Sequence, residues 1–341
     1  MNSTLKPHLL VEIMALQERP VPPQKLSTLF LAYRDFPEAF ALAFRYRCDV
    51  SKPYSRSYFY KPAILVTTKG GMTFMFDDKL FHIPILLRIA GRLTHRIDGL
   101  NTEESWSEPF LEGIDENQHL ELINCKVPTS FLQRYLWHHD SLPTVQFGCF
   151  FNSFAVLDEL EDPQIDTVVF NSRSEGRNDK PCRIANVTVG QYIRGDCDPL
   201  NSSGHNLKLD IKFLQTLTVN GEIPLCVALR MIKNRYKNVQ KLHLGQVRLP
   251  VPVDWFSIQD AVERINVGVD TLWNCMLGHS GAVTVGAFFD RMFKTGGQAV
   301  FNSCQTAFPC ATIVRDVDCV ECKFQKAEGN KKLDVRVTII C

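Results

Sequence analysis

The residues best placed to bind a metal ion are four cysteines near the C-terminus: Cys304, Cys310, Cys319 and Cys322. Cys319 and Cys322 form a C-x-x-C pair, a spacing with which two thiolates can bind Zn²⁺ at a turn. The flanking residues, however, alternate between apolar and polar, which predicts a strand, and strand residues three apart point to opposite faces. The other pair is separated by five residues, which is looser than usual. We therefore expect thiols that pack as small apolar side chains, and no metal.

Two other patterns could suggest an enzyme or a nucleotide-binding protein. Residues 137–140, WHHD, place two histidines beside an aspartate, but adjacent helical residues point about 100° apart, so a solvated helix end explains them better. The glycine pairs in KGGM and KTGGQ lack the G-x-x-x-x-G-K-[ST] spacing of a phosphate-binding loop. No Ser/His/Asp or Cys/His signature is recognisable. The sequence predicts neither an enzyme nor a cofactor.

The composition is that of an ordinary globular protein, with 341 residues, 45% hydrophobic residues and a net charge of +1. This length predicts about two domains. The near-zero net charge argues against a dedicated nucleic-acid binder. No signal peptide and no run of about 18 apolar residues is recognisable, so we expect no membrane partner and a location in the cytoplasm or nucleus.

A six-residue pattern, Φ-x-x-Φ-x-Φ with Φ apolar, recurs through the middle of the chain. Its third position is polar in every copy, as expected for a strand with one buried face. Full copies begin at residues 142, 165, 184, 214 and 239, and partial copies begin at residues 117 and 269. Successive copies lie 19 to 30 residues apart, a spacing that is typical of leucine-rich repeats.

The segments between the copies mostly predict helices with one apolar face. These segments are residues 128–140, 224–238, 254–265 and 283–293. Residues 171–182 are polar and predict no helix, and the cysteine or asparagine expected after the repeat strand occurs once, as Cys125. We therefore expect an α/β fold, an irregular leucine-rich-repeat-like solenoid of strand–helix units over residues 111–341. Another α/β or α+β fold is the alternative.

The C-terminus predicts a β-hairpin that closes the solenoid. Apolar and polar residues alternate from Leu333 to Ile339, and residues 327–330, AEGN, supply a turn. Such a hairpin would cover the last unit of the array, as capping elements do in solenoids.

The N-terminal region predicts three short helices within residues 1–48, separated by proline-rich or capping positions. Residues 49–110 predict a linking subdomain. It contains two strands around the turn at Gly70 and Gly71, followed by a helix or a first degenerate repeat over residues 83–97.

Three short helices that follow Leu5 and Pro7, placed ahead of leucine-rich-like repeats, resemble the divergent F-box proteins that are expanded in nematodes. In this chain Lys6 separates the leucine from the proline, which are adjacent in the usual F-box. The resemblance implies docking on a Skp-family adaptor within a cullin ubiquitin ligase. The docking residues it implies are Leu5, Pro7, Leu9, Leu10 and Ile13. The alternative is that these helices cap the first unit of the solenoid.

The resemblance also implies that the repeat region holds a protein substrate for ubiquitination, while partner enzymes carry out the chemistry. The third and fifth positions of the pattern would face this unidentified protein. The partner-binding residues predicted in this way are Glu121, Gln146, Thr218, Lys241, His243 and Trp273. Trp273 is the predicted hot spot, because tryptophan is enriched among such residues. The alternative is that the C-terminal hairpin covers Trp273. A repeat scaffold without a ligase role, and an enzyme with a C-terminal zinc site, are the alternative functions.

Overall fold

The computed structural model describes residues 6–16, 20–33, 35–43, 48–51, 63–68, 71–77, 84–99, 102, 107–114, 120–123, 125, 127–139, 144–147, 156–160, 164–170, 176–177, 180–190, 205–206, 209–251, 257–289, 293 and 296–341. The chain forms two compact units, Met1–Asp166 and Thr167–Cys341. Each unit contains parallel and antiparallel strand pairs together with helices.

The first unit begins with three helices and then alternates strands and helices. Its elements are α1 (Pro7–Ala15), α2 (Pro23–Ala32), α3 (Phe36–Ala43), β1 (Cys48–Ser51), β2 (Ala63–Thr68), β3 (Thr73–Asp77), α4 (Pro84–Leu93), β4 (Thr94–Asp98), α5 (Glu108–Ile114), β5 (Glu121–Ile123), α6 (Thr129–His139), β6 (Thr144–Phe147) and α7 (Val156–Glu159). The strand order is β6-β5-β4-β1-β2-β3. The β1–β2 and β2–β3 pairs are antiparallel, and the others are parallel. Strand β7 (Gln164–Phe170) spans the boundary between the units.

The three predicted N-terminal helices are confirmed, and they form part of the core of this unit. The ring of Phe40 in α3 lies 5.3 Å from the ring of Phe74 and 6.0 Å from the ring of Phe76, both on β3. The backbone N–H of Val21 donates to the carbonyl oxygen of Thr73 at 2.8 Å. These contacts join α3 and the segment before α2 to the β2–β3 hairpin. The two strands predicted around the Gly-Gly turn are thereby confirmed as β2 and β3.

Helices α4 and α5 pack against each other at a close approach of their backbones. A Cβ atom on Gly91 would lie 2.0 Å from the carbonyl oxygen of Phe110, and a Cβ on Gly113 would lie 2.2 Å from the carbonyl oxygen of Arg88. Glycine is required at both positions because any side chain would collide with the backbone of the other helix. An ion pair between Arg88 and Glu112, at 2.5 Å, joins the same two helices at the surface.

The second unit contains longer strands. Its elements are β8 (Gly176–Arg177), β9 (Arg183–Val189), β10 (His205–Asn206), β11 (Thr216–Pro224), α8 (Leu225–Arg230), β12 (Lys241–Leu249), α9 (Ile258–Cys275), β13 (Ala282–Phe289), α10 (Gly297–Ala307), β14 (Thr312–Arg315), β15 (Cys319–Glu328) and β16 (Lys331–Ile340). Helix α8 continues into a π-helical segment, Met231–Arg235. The strand order is β9-β11-β12-β13-β16-β15-β14, and β8 pairs separately with β10. Strands β9, β11, β12, β13 and β16 pair with their neighbours in parallel, whereas β16 with β15 and β15 with β14 pair antiparallel.

The core of the second unit lies between one face of this sheet and helices α8, α9 and α10. Leu217, Leu242 and Val283 are neighbours in register across β11, β12 and β13, and all three are buried. On the same face, Phe324 of β15 packs edge-on against Phe308, directly after α10, with 5.1 Å between the ring centroids. The alternation of apolar and polar residues along each strand therefore places one face against the helices and leaves the other uncovered by them.

The prediction that the chain contains both helices and strands in an α/β fold is confirmed, but the predicted leucine-rich-repeat-like solenoid is wrong. A solenoid repeats one structural unit, whereas these strands vary from two residues in β8 to ten in β16. The connections also differ, because one contains a π-helix and another an eighteen-residue helix. Both units contain antiparallel strands in the same sheet as the parallel ones. The six-residue pattern marked strands with one buried face, which occur in a mixed sheet as well as in a solenoid.

Two local predictions in the second unit are also wrong. Residues 269–274, taken as a partial repeat strand, belong to helix α9. Val269 and Leu272 are both buried there, because a spacing of three residues also suits one face of a helix. Residues 283–293 were predicted as a helix, but residues up to Phe289 form strand β13, whose burial alternates with a period of two. The C-terminal hairpin is confirmed as β15 and β16, with Gly329 at a φ of 58° in the turn.

Candidate protein-binding surface

The candidate functional site is the face of the second unit's sheet that points away from α8, α9 and α10. We call it the open face, and it comprises the outward residues of β9, β11, β12, β13, β16 and β15. The strand register arranges these residues in rows across the sheet. One row contains Thr216, Lys241, Ala282 and Lys332; the next contains Thr218, His243, Thr284 and Asp334; a third contains Gly286, Arg336 and Lys323; and a fourth contains Phe288, Thr338 and Glu321.

A groove of about 570 Å³ lies on the open face. The register shifts between Leu244 and Val247 of β12, and Gly245 lies in this bulge next to Gly286 of β13. A Cβ atom on Gly286 would lie 2.3 Å from the carbonyl oxygen of Gly245, so no side chain can project from that point. The two glycines form the floor of the groove, and its walls include His243, Thr284, Phe288, Arg336 and Glu321.

The charges on the open face are only partly paired. Arg248 lies 3.3 Å from Glu222, and Lys323 lies 2.9 Å from Glu321. Both carboxylates therefore have a cation beside them. Within the part of the chain that the structure describes, the side chains of Lys241, Lys332 and Arg336 have no hydrogen-bond or ion-pair partner.

The structure brings three of the six predicted partner-binding residues onto this surface. Thr218, Lys241 and His243 lie on the open face, in two adjacent rows. Glu121 is exposed on β5 of the first unit. Gln146 lies on β6 of the first unit, and its side chain is outside the described residues.

The predicted placement of Trp273 on a sheet face is wrong. It lies on helix α9, where it is half-buried, because the apolar spacing around it belongs to a helix. Sequence reasoning also missed Arg336 and Phe288. The alternation of the C-terminal hairpin already placed Arg336 opposite the apolar face, so that signal was present in the sequence.

The predicted docking residues of the N-terminus have different environments. Leu5 lies outside the described residues, and Pro7 is the first residue of α1, where its missing N–H leaves no helical hydrogen bond unmade. Leu10 is fully buried, whereas Leu9 is 39% exposed and Ile13 is half-buried. Leu16, which the sequence analysis did not single out as a docking residue, is 85% exposed. Leu9, Ile13 and Leu16 follow a spacing of four and three residues, so they share one face of the helix.

The four C-terminal cysteines do not converge. Cys322 of β15 and Cys304 of α10 are buried, and a hydrogen bond between the two thiols lowers the pKa of Cys304 and raises that of Cys322. Cys319, three residues before Cys322, points to the opposite face of β15, and Cys310 is exposed. Among the described residues, no three His, Cys, Asp or Glu side chains come together in a way that could hold a metal ion.

Comparison with known proteins gives no relative for this chain: no family model, no curated protein and no solved structure matches it. In the described residues, none of the helices is both long enough and apolar enough to cross a membrane.

Proposed function

We propose that the protein is a protein-interaction adaptor that recognises substrates for a Skp–cullin–F-box type ubiquitin ligase, in the cytoplasm or nucleus. In this proposal the open face holds the protein to be ubiquitinated, and α1 docks on a Skp-family adaptor. The observation that carries the proposal is the open face itself, a sheet surface that α8, α9 and α10 leave uncovered and whose cations are partly unpaired.

The open face suits protein binding because its side chains are held on a hydrogen-bonded sheet. Interfaces concentrate their energy in a few aromatic or arginine residues, and small polar neighbours add complementarity. Phe288 is such an aromatic residue and Arg336 is such an arginine, and both line the same groove. Thr218 and Thr284, which share one row of the open face, are such small polar neighbours.

The docking half of the proposal is supported by the exposed stripe on α1. Leu9 and Leu16 leave apolar surface in water, and full burial of one leucine side chain contributes about 1.5–3 kcal/mol. A neighbouring face of the helix, with Leu10 and Met14, is buried within the unit. A partner could therefore cover the stripe while α1 keeps its own packing.

A pull-down of full-length protein, probed for a Skp-family adaptor and a cullin, tests the docking half. Leu16→Glu should abolish retention of both, because a carboxylate would then enter an apolar contact. Leu31→Glu is the matched control, since Leu31 is 77% exposed on a different helix, α2, and should leave retention unchanged. Equal retention by wild type and Leu16→Glu would contradict the docking role. Point variants are better than removal of residues 1–48, which would uncover Phe74 and Phe76.

A binding scaffold without a ligase role is the second candidate. Helix α3 packs on the β2–β3 hairpin. This packing favours the second candidate, because the N-terminal helices then stabilise the first unit whether or not they dock a partner. If the wild-type protein retains no Skp-family adaptor while the open face still binds a protein, this second candidate replaces the first.

A further inference from the structure

The open face carries an excess of unpaired positive charge in its strands. Lys241 and Lys332 share one row, separated by Ala282, and Arg336 lies two rows away. Asp334 adds one negative charge to the same surface, and its carboxylate accepts a hydrogen bond from Gln325 at 3.4 Å. A surface of this kind attracts an acidic partner, because complementary charge both steers association and excludes basic competitors.

Of the three cations, Arg336 is the one best placed to bind one particular acidic side chain of that partner. Its neighbour on β13 is Gly286, which has no side chain, so the guanidinium borders the glycine floor of the groove. Its neighbour on β15 is Lys323, which is engaged by Glu321. Glu321 also lines the groove, but a lysine ammonium lies beside its carboxylate.

We propose that the groove binds a carboxylate side chain of an extended, acidic segment of the partner protein, and that Arg336 holds this carboxylate. The inference rests on the proposed function of the open face as a protein-binding surface. A guanidinium binds a carboxylate through two parallel hydrogen bonds, which adds geometric selectivity to the charge attraction. Phe288, on the groove wall, offers apolar contact to the neighbouring residue of the segment.

The spacing of the cations defines the segment further. Lys332 and Arg336 are four residues apart on β16 and point to the same face, so they are separated by roughly 13 Å. In an extended segment that runs along β16, side chains four residues apart on one face have the same separation. The surface therefore fits a segment with acidic residues at positions i and i+4.

Fluorescence anisotropy with a fluorescein-labelled peptide tests the proposal on the purified full-length chain. The probe is a threonine–valine peptide with two glutamates four residues apart, and a matching peptide carries glutamines instead. We expect binding of the glutamate peptide and its loss with glutamine. Arg336→Met should weaken binding about tenfold, as expected for loss of one charge-assisted hydrogen-bond pair. Thr284→Tyr, which fills the groove without changing the charge, should also weaken it.

Lys326→Met is the matched control. Lys326 lies on β15, in the same hairpin, but its ammonium pairs with Asp270 of α9 at 2.7 Å, on the helix-covered side. The Lys326→Met substitution also removes one positive charge. It should change the affinity for the peptide less than about twofold, because salt and solvent screen the attraction between exposed charges that are far apart. Equal losses from Arg336→Met and Lys326→Met would overturn the proposal. So would displacement of the peptide by an oligothymidylate at lower concentration, which would make a nucleic acid the preferred occupant. The assay contains no Skp-family adaptor, so its failure is distinct from failure of the docking test.

Discussion

Replacing Gly91 by alanine should destabilise the first unit, although alanine is the better helix former. The obstructing atom is the carbonyl oxygen of Phe110, 2.0 Å from the position of the new Cβ. Real Cβ atoms do not approach such atoms within 3.0 Å, so α4 and α5 must separate by the difference, about 1 Å. The obstruction is backbone, which cannot rotate away as a flexible side chain can.

The sign of the effect follows from two opposing contributions. Alanine in place of glycine within a helix contributes about 1 kcal/mol of stability. Forcing extra volume into a packed interface costs about 1–3 kcal/mol, and the rigid obstruction between α4 and α5 favours the upper end. The expected net result for Gly91→Ala is a loss of about 2 kcal/mol in the free energy of unfolding. Gly113→Ala, which meets Arg88 in the same way, should behave alike.

Chemical denaturation followed by circular dichroism measures the free energy of unfolding, and hydrogen exchange shows which part of the chain loses stability. Peptides covering residues 84–99 and 107–114 should lose protection in Gly91→Ala, while peptides of the second unit should not change. Gly278→Ala is the control, because nothing lies within 4 Å of its Cβ position, and it should be neutral or slightly stabilising. Since one separation relieves both collisions, the double variant should lose less than the sum of the single losses. A Gly91→Ala protein as stable as wild type would refute the close approach of the two helices.

Two further predictions concern the second unit. Ser257 caps α9 by accepting a hydrogen bond from the N–H of Asp260 at 3.1 Å, so Ser257→Ala should cost about 1 kcal/mol in urea unfolding, with Ser257→Thr, which keeps the hydroxyl, as a rescuing control. Burial lowers the pKa of His279, whose Nδ1 accepts a hydrogen bond from Gly281. The unfolded chain therefore takes up the proton first as the pH falls, and stability should drop below about pH 6.5. A difference in melting temperature between wild type and His279→Asn that does not vary with pH would contradict this.

The sequence determined the local elements where period and turn chemistry agree. The hairpin of β15 and β16 was predictable, because strict alternation from Leu333 to Ile339 follows a short turn that contains Gly329. The strands at 214–219 and 239–244 were predictable for the same reason. Helix α9 was cut short in the prediction because Val269 and Leu272 fit both a helix face and the strand pattern. The capping box at Ser257 marks where α9 begins and says nothing about its end.

Only the tertiary structure decided which residues share a surface. Leu9 and Leu10 are adjacent leucines in one helix, yet Leu10 is buried by the packing of its unit and Leu9 is not. Arg336 and Gly286 lie fifty positions apart in the chain, and parallel pairing of β13 with β16 makes them neighbours. Alternation along a strand assigns each side chain to a face, but parallel pairing joins strands through long crossover connections. The choice of neighbouring strand and its register is therefore a non-local outcome of packing, and the groove exists only once that choice is made.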